Sequence, residues 1–572
     1  MTPLRAPQRV ATAPTRQVVA AALALVVLGA IGAVKAGLLG ADFMFDLEQT
    51  TPALAKVAPA LPDPHTPRLA RRVFVVIIDG LRLDKSYELP FLDELRRRGV
   101  DTEAQSHYPT WSRPNYVSIL CGVPPTASGV RTNHHSTPVA LDSLMDRARA
   151  AGLRVASATD YDVLPRLFLR PRDAGHTEET QDLDIDAMED PFSAEAVRAP
   201  DAPLASPFDD ARYAPWPGGF PEAGAQVTAG NAELVIMLVG AVDAAGHAHG
   251  GASKEYREAT QIADRAVARA LAKVDLTQDA VVITADHGHT NRGGHGGLEP
   301  EVLAVPLIMA GAGVKPGATA IDAHLIDIAP TVSALLGIPA PGHGLGRTLT
   351  ELIQLDDADA GARQIADQQR LTMTRAVLAG AQARAAVNVL EERALRIGMV
   401  VGGALLAGVL AFLLVRRNVM KFDWRVLVVS VPAFFIVYYA LIGTVGQQFS
   451  PSLVPAQGHI AATMAKYGIA AMIVQLIASM WALRNEGSLA ERLAKANAIA
   501  WTGLMLAMIP AGLVWAFFPP PYVTVPSPVW LVMIPAVEVA VACAAVDVAL
   551  TLLVEVIIFA ARAWHRDHPA ME

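Results

Sequence analysis

VFVVIIDGLR, residues 73–82, is the stretch on which the fold turns. Six apolar residues run into Asp79 without a polar break, and so short a run without alternation suits a strand buried on both faces. Three similar runs follow: LVIMLV (234–239), AVVIT (280–284) and VPLIMA (305–310). Between them lie helical patterns, FLDELRRRG (91–99) and SKEYREATQIADRAVARALAKV (253–274). The alternation predicts a three-layer α/β/α domain, here placed over residues 73–350.

Three of these strands lead to a carboxylate: Asp79, Asp243 after LVIMLVGAV, and Asp286 after AVVITA. Ligands of an open α/β sheet gather outside the carboxyl ends of its strands, so the three acids are expected to converge on one crevice. His247 follows Asp243 as DAAGH, and His287 follows Asp286 directly. Any one histidine is as readily a surface or core residue. Together with the acids they form an oxygen and imidazole set that suits a pair of divalent metals, zinc first. YPTWSRPNYVSILCG (108–122) offers a nucleophile, because Ser112 stands just before Pro114 where a helix can begin. The free N–H groups there would receive a phosphate. By itself, a serine that merely caps this helix is the simpler reading.

The chain has 572 residues, 52% of them hydrophobic, which predicts a soluble domain joined to membrane spans. A net charge of -8 and the absence of a nucleic-acid-binding motif exclude nucleic acid as the expected partner. Two cysteines, Cys121 and Cys543, make neither a disulfide framework nor a thiolate zinc site, so metals must use histidine and carboxylate. Residues 17–34 are uncharged and follow Arg5, Arg9 and Arg16, the pattern of a start-transfer anchor; a cleaved signal peptide is the alternative. Further apolar runs cover about 397–415, 426–446, 460–482, 498–518 and 529–560.

Arg416, Arg417, Lys421 and Arg425, then Arg484, Arg492 and Lys495, then Arg562 and Arg566 fall on one side of these runs, while loops 447–458 and 519–528 carry no charge. The expectation is six spans, both termini cytoplasmic and the catalytic domain exported. The layout is an anchor at 1–40, a linker at 41–72, the domain at 73–350, a juxtamembrane helical connector at 351–396, transmembrane helices at 397–562 and a tail at 563–572. The connector could also lie on the membrane surface as an amphipathic helix. Pro535 and the length of the last run point to an interfacial start. The Pro-rich acidic stretch 176–224 reads as a solvated loop, with a lid as the lesser reading. Glu538, Asp547, Glu555 and Lys466 fall inside expected spans, where ionisable groups are costly.

VVIIDGLR, PTWSRPN, GAVDAAGHAHG, ADHGHTNRGGHGG and IDIAPTVSALLGIPAPGHGLG resemble, in order and spacing, the alkaline phosphatase superfamily. Its GPI ethanolamine phosphate transferases and nucleotide pyrophosphatase/phosphodiesterases are the branches most resembled. The resemblance implies an alkaline-phosphatase-like catalytic domain with Asp79, Ser112, Asp286 and His287 around one metal. Asp243, His247 and one more histidine would hold the other: His295 of GGHGG as in the transferases, or His343 of PAPGHG as in the phosphodiesterases. In the phosphodiesterase branch it further implies Asn133 beside a phosphate oxygen, with a plain turn residue an equal reading; Asn115 and His249 are candidate substrate contacts, and His249 and His289 line the pocket or stand exposed on loops. The metals would be zinc, with manganese the alternative. Ser112 would attack a phosphodiester and carry phosphoethanolamine from a phospholipid to an acceptor. Hydrolysis is the runner-up, and an inactive scaffold or transporter-associated protein the third reading.

Overall fold

The computed structural model describes residues 15–47, 51–161, 163–168, 204–205, 210–213, 220–445, 450–453, 460–518 and 524–567. Its strands are β1 (Val73–Ile78), β2 (Val100–Gln105), β3 (Val155–Thr159), β4 (Leu204–Ala205), β5 (Asp210–Tyr213), β6 (Leu234–Val239), β7 (Ala280–Thr284), β8 (Ala304–Gly311) and β9 (Ala323–His324). They form one sheet in the order β4-β5-β3-β6-β1-β7-β8-β2-β9.

Every residue of β1, β6 and β7 is buried, as their unbroken apolar runs require. Each large aliphatic side chain so placed contributes about 1.5–3 kcal/mol. β6, β1 and β7 are parallel neighbours, with Ile78 opposite Val239 and Ile77 opposite Thr284, so their carboxyl ends open on the same side. The sheet is mixed: β8 runs antiparallel to both β7 and β2. Helices Pro90–Arg98, Phe220–Ala229 and Lys254–Ala270 contact one another as one group, and Ser112–Cys121, Leu144–Ala150 and Ile328–Leu336 as a second. This is the layered α/β domain expected.

Among the described residues, six helices contain stretches long and apolar enough to cross a membrane: Thr15–Asp46, Asp357–Arg416, Trp424–Val445, Ile460–Ala482, Leu489–Phe517 and Pro528–Asp567. Leu405, Leu406 and Phe412 are each more than 60% exposed, an apolar outer surface suited to lipid. The chain is a membrane protein. Two details differ from the expected layout. The connector and the span after it are a single 60-residue helix, capped by the Asp356 side chain, which accepts from Asp359 N. The final run is one 40-residue helix; Pro535 lies inside it without ending it, although the ring removes a backbone donor.

Arg363 and Arg370 fasten the long helix to the catalytic domain. The first donates to Thr66 Oγ1 and the Ile338 carbonyl, both at 2.7 Å, and the second to the Gly344 and Gly346 carbonyls at 2.6 and 2.8 Å. Trp111, next to Ser112, is buried in an apolar cluster with Phe43, Leu47, Phe434, Tyr438 and Ile460 of the membrane helices. Tyr108 Oη donates to the Pro526 carbonyl at 2.7 Å. Among the ionisable residues of these helices, Glu555 pairs with Arg492 and both are buried; Asp547 is buried and Lys466 exposed. Most of the 176–224 stretch, Arg5, Arg9 and the end of the tail lie outside the described residues.

Candidate active site

Asp79 follows β1 immediately and turns on Gly80, whose φ of +71° favours glycine and where a Cβ would stand 2.8 Å from Asp243 Cα. Asp286 stands just beyond β7 and accepts from Gly80 N at 3.1 Å. Asp243 departs from the strand-end reading. β6 stops at Val239, and Asp243 occupies the first turn of helix Ala241–His249, one turn ahead of His247 on the same face. Ser112 begins helix Ser112–Cys121, and Trp111, not the serine, holds the cap position without a side-chain cap bond. The hydroxyl is thus directed elsewhere: Ser112 Oγ lies 3.2 Å from His287 Nε2 and 3.5 Å from Asp79 Oδ1.

Two groups of side chains have ligand atoms close enough to share an ion, Asp79 with Asp286 and His287, and Asp243 with His247, His289 and His295. The imidazoles are aimed. His295 Nδ1 lies 2.7 Å from the Thr110 carbonyl and His287 Nδ1 3.1 Å from the Gly288 carbonyl, so each donates outward and presents Nε2 to the site. His295 Nε2 stands 3.0 Å from His247 Nε2, so a proton or a cation must lie between the two nitrogens. Burial, then the neighbouring Asp286 and Asp243, raise the Asp79 carboxyl well above its ordinary range. Burial opposes ionisation of Asp243 too, but His247, His289 and His295 outweigh it and hold that carboxyl well below. Burial lowers His289 to about 4 and holds His295 well below its ordinary value. Asp286 Oδ2 is buried without a hydrogen bond, 3.3 Å from His287 Nε2. Buried acids crowded together beside imidazoles fit divalent cations.

Residues 73–296 match the model of the family described as Type I phosphodiesterase / nucleotide pyrophosphatase. Over that stretch the chain is similar to this family. That match bears out the superfamily resemblance and an enzyme of the phosphodiesterase or phosphotransferase kind. The human GPI ethanolamine phosphate transferase 1 is 25% identical over 376 residues, covering 58% of this chain and 39% of that protein. The Yarrowia lipolytica protein of the same name is 26% identical over 332 residues, covering 48% and 33%. The chain therefore spans about two fifths or less of the length of these relatives. Among solved structures, the alkaline phosphatase PafA aligns with a TM-score of 0.36 at 14% identity, over 50% of this chain and 99% of that one. Murine ectonucleotide pyrophosphatase / phosphodiesterase 5 aligns with a TM-score of 0.37 at 12% identity, over 50% and 100%.

The remaining candidates separate by position. His343 accepts from Asp142 N at 2.9 Å through Nδ1 and sets Nε2 3.1 Å from the Val57 carbonyl, so it belongs to neither ligand group. Asn133 Oδ1 accepts from Arg113 N at 3.0 Å, one residue from Ser112. Asn115 braces the turn before Ser112: its amide accepts from His107 N and donates to the His107, Pro109 and Trp111 carbonyls. His249 is exposed at the end of its helix. His289, read as lining the pocket or exposed on a loop, is fully buried, with Nε2 2.7 Å from Asp243 Oδ1. A signal for it lay in the DAAGH motif: a Cβ on Gly246 would stand 2.4 Å from the His289 ring.

Proposed function

We propose that this chain is a membrane-bound phosphotransferase that moves phosphoethanolamine, or a similar phospho-group, from a lipid donor to an acceptor hydroxyl through Ser112. The observation that carries the reading is Ser112 Oγ, at the start of a buried helix, 3.2 Å from His287 Nε2 and 3.5 Å from Asp79 Oδ1, two members of the first Asp/His group. Asp79, Ser112, Asp286 and His287 would hold one divalent cation, and Asp243, His247 and His295, joined by His289, the other. When bound, the two cations, zinc or else manganese, supply positive charge to the transferring group and lower the pKa of the serine hydroxyl. Ser112 Oγ attacks phosphorus and the ester bond to the donor's diacylglycerol breaks, leaving a phosphodiester on the serine. The acceptor hydroxyl then attacks the same phosphorus and frees Ser112. Asn133, whose Oδ1 accepts from Arg113 N beside Ser112, would help to orient the phosphate.

The relatives named as transferases support transfer, while the phosphodiesterase family match keeps hydrolysis as a second reading. In the proposed topology six spans leave both termini in the cytoplasm and the domain at 73–350 on the exported side, as the arginine and lysine distribution favours. Intact-protein mass spectrometry after incubation with phosphatidylethanolamine tests the proposal. A phosphoethanolamine adduct on Ser112 is expected, whereas a bare phosphate adduct, or none, sinks transfer.

A further inference from the structure

One set of contacts crosses from the membrane helices to the second ligand group. The single turn Pro451–Leu453 lies between helices Trp424–Val445 and Ile460–Ala482 and rests on the glycine-rich segment that carries His295. Ser452 Oγ accepts from Gly297 N at 2.8 Å and donates to Glu299 Oε2 at 2.6 Å, while Ser450 Oγ accepts from Ser452 N at 3.2 Å. Glycine permits the approach: a Cβ on Gly294 would stand 2.1 Å from the Ser452 carbonyl oxygen, and one on Gly297 2.2 Å from Ser450 Oγ.

The opposite side of the segment is held by the turn before the nucleophile. Thr110 Oγ1 accepts from Gly296 N at 2.8 Å and donates to the Gly297 carbonyl at 3.0 Å; its own carbonyl faces His295 Nδ1 at 2.7 Å. Trp111 closes over Gly296, where a Cβ would stand 2.4 Å from its indole nitrogen. Gly293, Gly294, Gly296 and Gly297 surround the histidine with backbone that has little conformational preference of its own. Its direction must be imposed from both sides, and one of those sides belongs to the membrane half.

We propose that Ser452 is a positioning residue for His295, so that the turn between two membrane helices completes the second metal site. The proposal rests on the reading of Asp243, His247 and His295 as ligands. Without the Ser452 hydroxyl, Gly297 N–H and the Glu299 carboxylate lose their shared partner, and the segment can rotate His295 Nε2 away from Asp243 and His247. Removing the partners that orient a ligand lowers metal affinity by roughly 10–100-fold.

The test uses the full chain in lipid nanodiscs, loaded with zinc and equilibrated against a graded chelator, with bound zinc counted by mass spectrometry and the thermal midpoint recorded in parallel. Wild type is expected to hold two ions and His295→Ala one. Ser452→Ala is expected to hold one ion as wild type does and the other at least about tenfold more weakly, and Ser452→Thr, which keeps the hydroxyl, to recover most of the loss. If Ser452→Ala binds both ions with wild-type affinity while His295→Ala loses one, the turn merely holds the two halves together and the proposal is overturned, whatever the thermal midpoint does. If His295→Ala keeps both ions, the ligand reading fails and takes this proposal with it.

Discussion

His287 and His295 stack face to face, ring centroids 3.7 Å apart and 13° from parallel, although each belongs to a different ligand group. The two groups thus share a wall of imidazole, with Ser112 Oγ against one side of it and His247 against the other. Changes on one side should reach the other through that wall, and several measurements follow from the arrangement.

Ser112→Ala removes the only atom of that residue directed at Asp79 and His287. Turnover of a chromogenic phosphodiester should fall at least about a thousandfold while the fold is kept, since losing a nucleophile is among the largest single losses an active site shows. Unchanged turnover on a verified zinc-loaded sample rules Ser112 out as nucleophile.

Removing histidines one at a time sorts ligands from braces. His289→Ala should weaken one of two bound zinc ions by at least about tenfold in a chelator titration, whereas His343→Ala should weaken neither, its ring being engaged by Asp142 and Val57. The reverse pattern would return His343 to the site.

Gly246→Ala drives a methyl group into the His289 ring at 2.4 Å, and the helix backbone gives it nowhere to go. A loss of about 1–3 kcal/mol is expected from overpacking, together with weaker zinc retention. Thermal unfolding of the full chain in detergent, run with and without chelator, separates the two effects.

His107, packed edge-on to His324, is lowered to about 3, first by burial and then by that neighbour. Unfolded, it titrates near 6.5, so between about pH 6.5 and 3 the unfolded chain binds the extra proton. Stability is therefore lost as pH falls through that window, by up to about 1.4 kcal/mol per pH unit from this residue, and is unaffected by it above pH 7. In chelator-treated protein, His107→Asn should flatten the acid side of a plot of thermal midpoint against pH; an unaltered slope refutes the assignment.

Arg492 and Glu555 form a buried ion pair between two membrane helices. Arg492→Met alone should destabilise by about 3–5 kcal/mol because it strands a buried carboxylate, and adding Glu555→Leu should restore most of the loss. Denaturation of the two variants in mild detergent checks both signs.

The parts of the molecule legible in the sequence were those fixed by burial on both sides. β1, β6 and β7 announce themselves because no face of them meets water, and Asp79 and Asp286 come with their ends. β2, VDTEAQ, does not, since its alternating burial leaves charged residues on one face. Asp243 was found by spacing but put on a strand; Gly240 ends the strand, and the i, i+4 relation to His247 needed a helix to bring both onto one face. His289 was named only as a pocket or loop residue, and its place in the second group was missed because burial of a loop histidine depends on a remote glycine. Trp111 gave no hint of its partners, which arrive from both ends of the chain: Phe43 and Leu47 before it, and Phe434, Tyr438 and Ile460 hundreds of residues later.

The helix Asp357–Arg416 runs unbroken from its arginine anchors on the catalytic domain into the apolar bundle, a rod of roughly 90 Å at 1.5 Å per residue. A stiff rod gripped near both ends fixes bearing as well as height. The sheet domain is thereby held at one heading relative to the bundle rather than swinging on a tether. On the proposed function, a lipid donor would travel to Ser112 along the bilayer instead of being reached for.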